Sequence, residues 1–544
     1  MRDGTLKKNA IFFAVAAVIA LFARTAAFSF IGLDDAAYTF RNPFVAGGLS
    51  FANAVEAFTN FRHGGIWMPA TYISYMADAS FCKATGMPLV GWMHLVNVFL
   101  HAINLLLLCR LLHILAGRDS TWILVGALLW AIHPLRVEPV AWIAARKELL
   151  WSMFAVAGLI FWVKSIHSTD GRKGLCLGCA YFFCALSCIS KPTAMCFPFL
   201  ACLVEWRIGR ETGKPNSAGW WRRYVPFVLL AGMTAAIAAY SQTHVAGQDA
   251  NALYAAPFLD RLVGAMSALG YYVRATVWPF GLHVDCRVVN GLWPLGAGWN
   301  LAAIGVFVAL AALVRHQSLF AFVWFVLSLL PTLGLLGSFG FEAHADRFAY
   351  LPSMAFALLV VDCMRNRSSG AILKVAIAAG VALSVISFDQ LGFWRDDGTA
   401  YRRALSCDPE HPRAMVHVAD ADCARRRNFD SGIALYRKAL SRAGTVPSGG
   451  FDVVDVKARL AYALSSRGRQ EDFAEIKSIG APVLGNLKLD RRGMMLDALG
   501  TAFMYDGDWK RAALLFQASI DAPARFWPKA STRRKLEECQ ERMR

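Results

Sequence analysis

Charge is what this chain has least of. Only 17% of its 544 residues are Asp, Glu, Lys or Arg, against 56% that are hydrophobic, and the mean hydropathy is +0.41. That balance excludes a soluble globular protein and fits a chain that crosses a membrane many times. Acids are scarcer than bases: 38 Asp and Glu stand against 56 Lys and Arg, for a net charge of +18. Such an excess suits nucleic acid, but no single basic tract is present. The cations sit in short loops between apolar runs, where membrane proteins keep their cytoplasmic Lys and Arg, so nucleic acid is not the expected partner. Metal-ligand spacing is missing too. Cys176 and Cys179 form a Cys-Leu-Gly-Cys with no second ligand pair, which reads as small-residue packing. Cys407 and Cys423 are compatible with a disulfide outside the cytoplasm, though spacing alone establishes none. Nor is there a good cleavage site after the first apolar segment, where Ala23-Arg24-Thr25-Ala26 is a poor match; that segment reads as a signal anchor.

What is present is a series of apolar runs of the length a span needs, about 20 residues. They lie near 9–29, 91–113, 121–136, 149–166, 174–190, 192–206, 224–241, 299–314, 319–338, 349–364 and 370–388. The expected fold is all-α, a polytopic bundle of about eleven spans. Basic loop residues (Lys7, Lys8, Arg118, Lys164, Arg207, Arg315, Arg365 among them) share one side if the N-terminus is cytoplasmic. Counting 258–282 as a span breaks this scheme, so it is read as interfacial or re-entrant. From about 396 the character changes to amphipathic helices with small residues at crossings and Asn-Phe or Asp-Gly-Asp-Trp turns, the tetratricopeptide pattern. The expected domains are 1–390, a membrane domain whose first external loop is 30–90, and 391–544, a tetratricopeptide-like α-solenoid that serves as a partner platform.

One stretch stands out, FIGLDDAAYTFRN at 30–42, where two adjacent acids, Asp34 and Asp35, sit at the end of the first span. Alone they read as a solvated helix-end pair. Other unusual polar groups collect on the same side of the membrane: Trp67-Met-Pro-Ala-Thr71, the helix face of His94, Asn97 and His101, His133-Pro134 with Glu138, Arg146-Lys147-Glu148, Lys191-Pro192, and Glu342-Ala-His344-Ala-Asp346-Arg347-Phe-Ala-Tyr350. The helix-face trio reads most simply as interhelical hydrogen bonding, and single cations at span ends as snorkelling side chains. Together, Arg146, Lys147, Lys191 and Arg347 can hold a phosphate or diphosphate at headgroup depth, and a nearby acid can deprotonate an incoming hydroxyl. A phosphate-leaving donor, cations on its leaving group and a carboxylate base make a glycosyl-transfer site.

The ordered pieces LDDAAYTFRNPFVAGGL, IWMPATYISYMAD, HLVNVFLHAINLLL, HPLRVEPVAWIAARKELL, SKPTAMCFPF, YYVRATVWPFGL, HADRFAYLPS and FWRDD carry a resemblance over nearly the whole chain. The chain resembles the GT-C membrane glycosyltransferases, in their transmembrane and tetratricopeptide-repeat (protein O-mannosyltransferase-like) branch, bacterial type. It departs from that pattern at Ala70, where Leu is usual, and at Glu148, where Asp is usual. The resemblance implies a polyprenyl-phosphate sugar as donor and inversion at the sugar. It implies a base in the first external loop, at Asp34 or Asp35, with Asp34 slightly favoured. Donor phosphate then falls to Arg347 and Lys191, with Arg146 third. His133, Glu138, Trp67, His344, Asp346 and Tyr350 are candidates for contact with sugar or acceptor. No cofactor is expected; a divalent cation on Asp34 or Asp35 with Glu138 or His344 is the less favoured arrangement. The implied acceptor is a Ser or Thr hydroxyl of an extracytoplasmic protein engaged by the repeats, and the expected location is a bacterial inner membrane with the repeats in the periplasm. Rival readings are transfer to a lipid or cell-surface polysaccharide and a non-catalytic anchored scaffold. A transporter ranks low, since duplicated halves with broken helices are missing.

Overall fold

The computed structural model describes residues 2–61, 65–116, 121–168, 171–212, 220–245, 257–284, 305, 315–335, 344–364, 370–443, 451–486, 489–522 and 529–544. Every regular element among them is helical. The chain divides into two compact units, 1–399 and 400–544, and the expected boundary at 390 falls inside a helix.

The first unit opens with α1 (Arg2–Phe22), three short helices, α2 (Asp35–Tyr38), α3 (Pro43–Gly47) and α4 (Phe51–Thr59), and the longer α5 (Pro69–Thr85). Then follow α6 (Leu89–Ala116), α7 (Thr121–Ala131), α8 (Val137–Ala141), α9 (Arg146–His167), α10 (Arg172–Ser190), α11 (Phe197–Thr212), α12 (Val225–Val245), α13 (Phe258–Val277), α14 (Arg315–Leu329), α15 (Met354–Cys363) and α16 (Gly370–Phe393). Among the described residues six helices are long and apolar enough to cross a membrane, and a seventh is the pair α7–α8, bent by 61°. This is a multi-pass membrane protein, and among the described residues it has fewer full-length spans than the expected eleven. Proline accounts for part of the difference. Pro192, Pro331 and Pro352 each lie in a turn: the helix expected at 192–206 starts only at Phe197, and those expected at 319–338 and 349–364 are shortened. A proline ring fits the first turn of a helix but not its interior. The expected span at 299–314 and Glu342 lie outside the described residues. Helix α13, over the segment read as interfacial, is not among the candidate spans.

Burial orders the bundle. The span ending in α9 is 72% buried and lies at its heart, packed along α10 and α6, whereas the α16 span is 6% buried. Val375, Ile377, Val381, Val385 and Phe388 project outward from α16, as apolar side chains do where lipid is the solvent. Helix α6 comes close to the end of the first span at Gly91, where a Cβ would stand 2.8 Å from the Ala26 carbonyl. At the opposite end of the bundle from Asp35, Arg207 on α11 grips Asp362 on α15 through two bonds of 2.9 Å. A desolvated pair held bidentately fixes two helices in register.

The second unit holds the end of α17 (Asp397–Cys407) and then α18 (Pro412–Arg426), α19 (Phe429–Ser441), α20 (Val453–Arg467), α21 (Gln470–Val483), α22 (Leu489–Tyr505), α23 (Trp509–Asp521) and α24 (Lys529–Met543). Successive helices pack as hairpins. Each of three hairpin turns has a residue of positive φ: Arg427 (53°), Gly468 (73°) and Gly507 (79°), about 40 residues apart, against about 34 in an ideal tetratricopeptide array. The stretch read as a weak middle copy is a full hairpin, α20–α21. Small residues do mark the crossings. A Cβ on Gly500 would lie 2.7 Å from the Phe516 ring. Cys407 and Cys423 are both free thiols.

Candidate functional site

The two adjacent acids do different things. Asp35 opens α2 and is fully buried. Its Oδ2 accepts from the Ile31 amide at 2.8 Å and its Oδ1 from the Ala144 amide at 2.7 Å, so it staples the loop after α1 to the turn before α9. Burial pushes its carboxyl up to about 7, against the pull of those two amides, with Asp34 and Asp397 adding to the rise. Asp34 occupies the N-cap position of α2 but caps nothing with its side chain, which is 41% exposed. Its Oδ2 lies 3.8 Å from Lys147 Nζ. The carboxylates therefore point apart, and of the two Asp34 is the one exposed to solvent.

The four cations read from the sequence each carry an acid. Arg146 is wholly buried, bonded to Asp78 at 2.5 Å, to Asn97 Oδ1 at 2.8 Å and to the Met93 carbonyl at 2.9 Å. Those bonds tie α9 to α5 and α6 and give Arg146 a structural occupation. Lys191, in the turn after α10, pairs with the buried Glu148. Burial lowers its ammonium to about 8 although Glu148 holds it up, and Lys147 and Arg347 push it further down. Arg347 donates to Glu138 Oε1 at 2.5 Å, and its backbone amide donates to Oε2 of the same carboxylate at 3.1 Å. Lys147 has the loosest of these acid contacts, to the half-exposed Asp34.

Three of these cations converge on aromatic faces. Lys147 Nζ stands 4.7 Å from the centroid of Tyr38 and 5.7 Å from that of Trp142, and the Arg347 guanidinium lies 4.9 Å from the same indole. Lys191 and Arg347 both face Phe348, at 4.7 and 4.8 Å. Ring faces steady a cation without neutralising it. Burial, then the Asp34 charge, raises the Tyr38 and Tyr72 phenols, while Arg347 draws Tyr38 back. Asp34, Tyr38, Tyr72, Lys147, Arg347 and Lys191 thus make one electrostatic neighbourhood, built from the loop after α1, α5, the start of α9, the turn after α10 and the turn before α15.

Other predicted residues lie further from this centre. Trp67 is buried, donating to the Phe58 carbonyl at 3.0 Å and stacked on Phe61. His133 Nδ1 accepts from the Leu135 amide and Nε2 donates to the Thr276 carbonyl at 3.0 Å; with Trp130, Arg136 and Phe356 it lines a cavity of about 180 Å³. His344 stacks on Tyr271 at 3.7 Å, and burial lowers its imidazole to about 3. Tyr271 donates to Asp346 at 2.5 Å, while burial and the nearby Glu138 raise the Asp346 carboxyl. Tyr350 is a core residue: its hydroxyl donates to His101 Nδ1 at 2.7 Å, and its carbonyl accepts from Arg136 at 2.9 Å. Asn97 donates to the Val140 and Trp142 carbonyls, so Asn97 and His101 serve interhelical bonding, whereas among the described residues neither ring nitrogen of His94 has a hydrogen-bond partner. Among the described residues no three His, Cys, Asp or Glu side chains converge as a ligand set for a metal.

A buried acid-and-cation centre at one end of a helical membrane bundle, with repeats appended, can be set beside known proteins. The chain is similar to protein O-mannosyl-transferases. It is 22% identical over 390 residues to protein O-mannosyl-transferase TMTC3 of Mus musculus, covering 64% of this chain and 41% of that protein. To protein O-mannosyl-transferase F38B6.6 of Caenorhabditis elegans it is 23% identical over 351 residues, 60% of this chain and 46% of that one. A shorter match, 36% identical over 97 residues, links it to protein O-mannosyl-transferase TMTC2 of Mus musculus, at 16% of this chain and 11% of that protein. No protein-family model matches. The chain thus spans about two-fifths of the length of the curated TMTC3 it matches. These relatives are animal proteins, so the likeness reaches the eukaryotic O-mannosyl-transferases, where the motifs had pointed to the bacterial branch.

Sequence reasoning counted Lys147 among the cations able to hold a phosphate but ranked Arg146 above it, and it assigned no role to Tyr38, Tyr72 or Trp142. Lys147 stood in plain view beside Arg146, but helix phase decides which of two neighbours faces the loop. The aromatics carried no signal of their own in a chain that is 12% aromatic.

Proposed function

We propose that this chain is an integral membrane glycosyltransferase that moves a sugar, mannose by the names of its relatives, from a polyprenyl phosphate to a Ser or Thr hydroxyl of a protein outside the cytoplasm. The observation that carries the reading is the pairing of one accessible carboxylate, Asp34, with a cluster of cations at Lys147, Lys191 and Arg347. Asp34 takes the hydroxyl proton. The hydroxyl oxygen forms a bond to the anomeric carbon, and the carbon–oxygen bond to phosphate breaks with its electron pair going to the phosphate. Attack from the face opposite the leaving group inverts the anomeric centre. Arg347 and Lys191 bind the phosphate, and charge developing on it draws them from Glu138 and Glu148. A desolvated site makes such charge stabilisation large, because fixed groups need no reorganisation.

Arg146 supports this site from beneath; its donors are spent on Asp78, Asn97 and Met93. His133, Glu138, Trp67, His344 and Asp346 shape the walls, and the repeat unit engages the acceptor. The N-terminus is cytoplasmic and the site faces the other side, which in a bacterial inner membrane is the periplasm. The test is transfer from radiolabelled polyprenyl-phosphate mannose to a Ser/Thr peptide by the purified full chain. Hexose on a Ser or Thr, found by mass spectrometry and lost in Asp34→Asn, supports the reading. Hexose on lipid alone overturns the acceptor class, and undiminished transfer by Asp34→Asn overturns the base.

A further inference from the structure

The FWRDD segment at 393–397 follows α16 and has no role in the chemistry above, yet it is bonded to the loop that carries Asp34. Trp394 is buried, 6.3 Å from the Trp142 indole that lies beneath Lys147 and Arg347. The Arg395 carbonyl accepts from the Ser29 amide at 2.9 Å. Asp396 accepts from the Thr399 amide at 2.9 Å and so shapes the turn into α17. That turn delivers Asp397, whose Oδ1 accepts from the Gly32 amide at 2.5 Å. Gly32 and Asp397 fit each other closely: a Cβ at residue 32 would stand 2.3 Å from Asp397 Oδ2.

From the other side, Asp35 takes the Ile31 and Ala144 amides. The amides of residues 29, 31 and 32 are therefore each held by a named acceptor, two of them on the 394–397 segment. Asp34 follows two residues later, with its own carbonyl already committed to the Tyr38 amide at 2.9 Å. Among the described residues, its side chain pairs with one cation, Lys147, at 3.8 Å. What aims this carboxylate is the backbone on either side of it.

We propose that Asp397 is a positioning residue for Asp34: its carboxylate, clamped on the Gly32 amide, holds the external loop in the register that presents the base to the acceptor hydroxyl. This rests on the reading of Asp34 as the base. A carboxylate bonded to a backbone amide is a stronger clamp than a neutral acceptor, and a misplacement of about 1 Å in a reacting group costs about a hundredfold in rate.

The test uses the purified full chain with polyprenyl-phosphate mannose and a Ser/Thr peptide, alongside hydrogen exchange of the 29–34 amides. Asp397→Ala should lower kcat by roughly ten- to a hundredfold. It should leave KM for the donor unchanged and speed exchange at 29–34. Asp397→Asn, whose amide oxygen still accepts from Gly32, should recover most of the rate and the protection. Gly32→Ala, which pushes on the same carboxylate from the loop side, should lose kcat in the same way. Wild-type kcat in Asp397→Ala, or an unchanged exchange pattern, overturns the proposal, as does an Asp397→Asn variant no better than Asp397→Ala. An Asp34→Asn control separates the two claims. If it transfers normally, the base assignment fails while the exchange data still decide whether Asp397 holds the loop. If it is dead and Asp397→Ala is normal, only the positioning role fails.

Discussion

Replacing Asp34 and Asp35 one at a time by Asn should split catalysis from stability. Asp34 is 41% exposed, caps nothing and touches only Lys147 among described charges, so its loss should move stability by no more than about 0.5 kcal/mol. As the base, its loss should cost about 10²–10⁴ in kcat. Asp35 is the reverse. Both of its oxygens accept backbone amides in a site with no solvent. Asn offers one oxygen, so either the Ile31 or the Ala144 amide is left unpaired, at a cost of about 1–3 kcal/mol. The pH dependence follows with a definite sign. The folded carboxyl is raised from 3.8 to about 7. The folded state therefore binds the proton more tightly than the unfolded chain, and stability falls as pH climbs through that window. The Asn variant lacks this slope. Thermal melts of the detergent-solubilised chain from pH 4 to 8, with transfer assays on the same samples, read both effects. A stable, fully active Asp34→Asn beside an Asp35→Asn with wild-type stability would refute the division of labour.

Lys191 predicts an alkaline limb: its ammonium titrates near 8, so kcat/KM for the donor should fall above that pH in the free enzyme, and Lys191→Arg, always charged, should shift the limb upward. Truncating Glu138 to Ala leaves the Arg347 guanidinium buried without its acid, which should destabilise by about 3–5 kcal/mol in chemical denaturation, and Glu138→Gln should cost less. In the repeat unit, Gly500→Ala drives a methyl into the Phe516 ring and should cost about 1–3 kcal/mol, visible as an earlier melt without a change in donor KM.

Much of the fold was legible because apolar runs and amphipathic periods are local properties. Lipid requires that each span satisfy its own backbone, so hydropathy alone announced an all-α multi-pass protein with a helical tail. Among the described residues, part of the excess of expected spans has an equally local cause, since an apolar run does not reveal where proline ends the helix within it. The candidate site was partly legible as an inventory: both acids, Lys147, Lys191, Arg347 and Glu138 were picked from their positions at span ends, as were Arg146 and His133, which fall outside its centre.

Only the tertiary structure assigned them. Asp34 and Asp35 are neighbours with the same side chain, and nothing in FIGLDDAAYTFRN says which one turns inward. The Ala144 amide, 109 residues away, decides it by capturing Asp35. Likewise Asp78 and Asn97 occupy Arg146 and leave Lys147 to face Asp34. The sequence by itself determined the class of elements and the stock of charges, because hydropathy and helix period act over a few turns. Which charge is sealed in a pair and which stays accessible was decided by long-range packing, because the partners that neutralise a buried group come from distant parts of the chain.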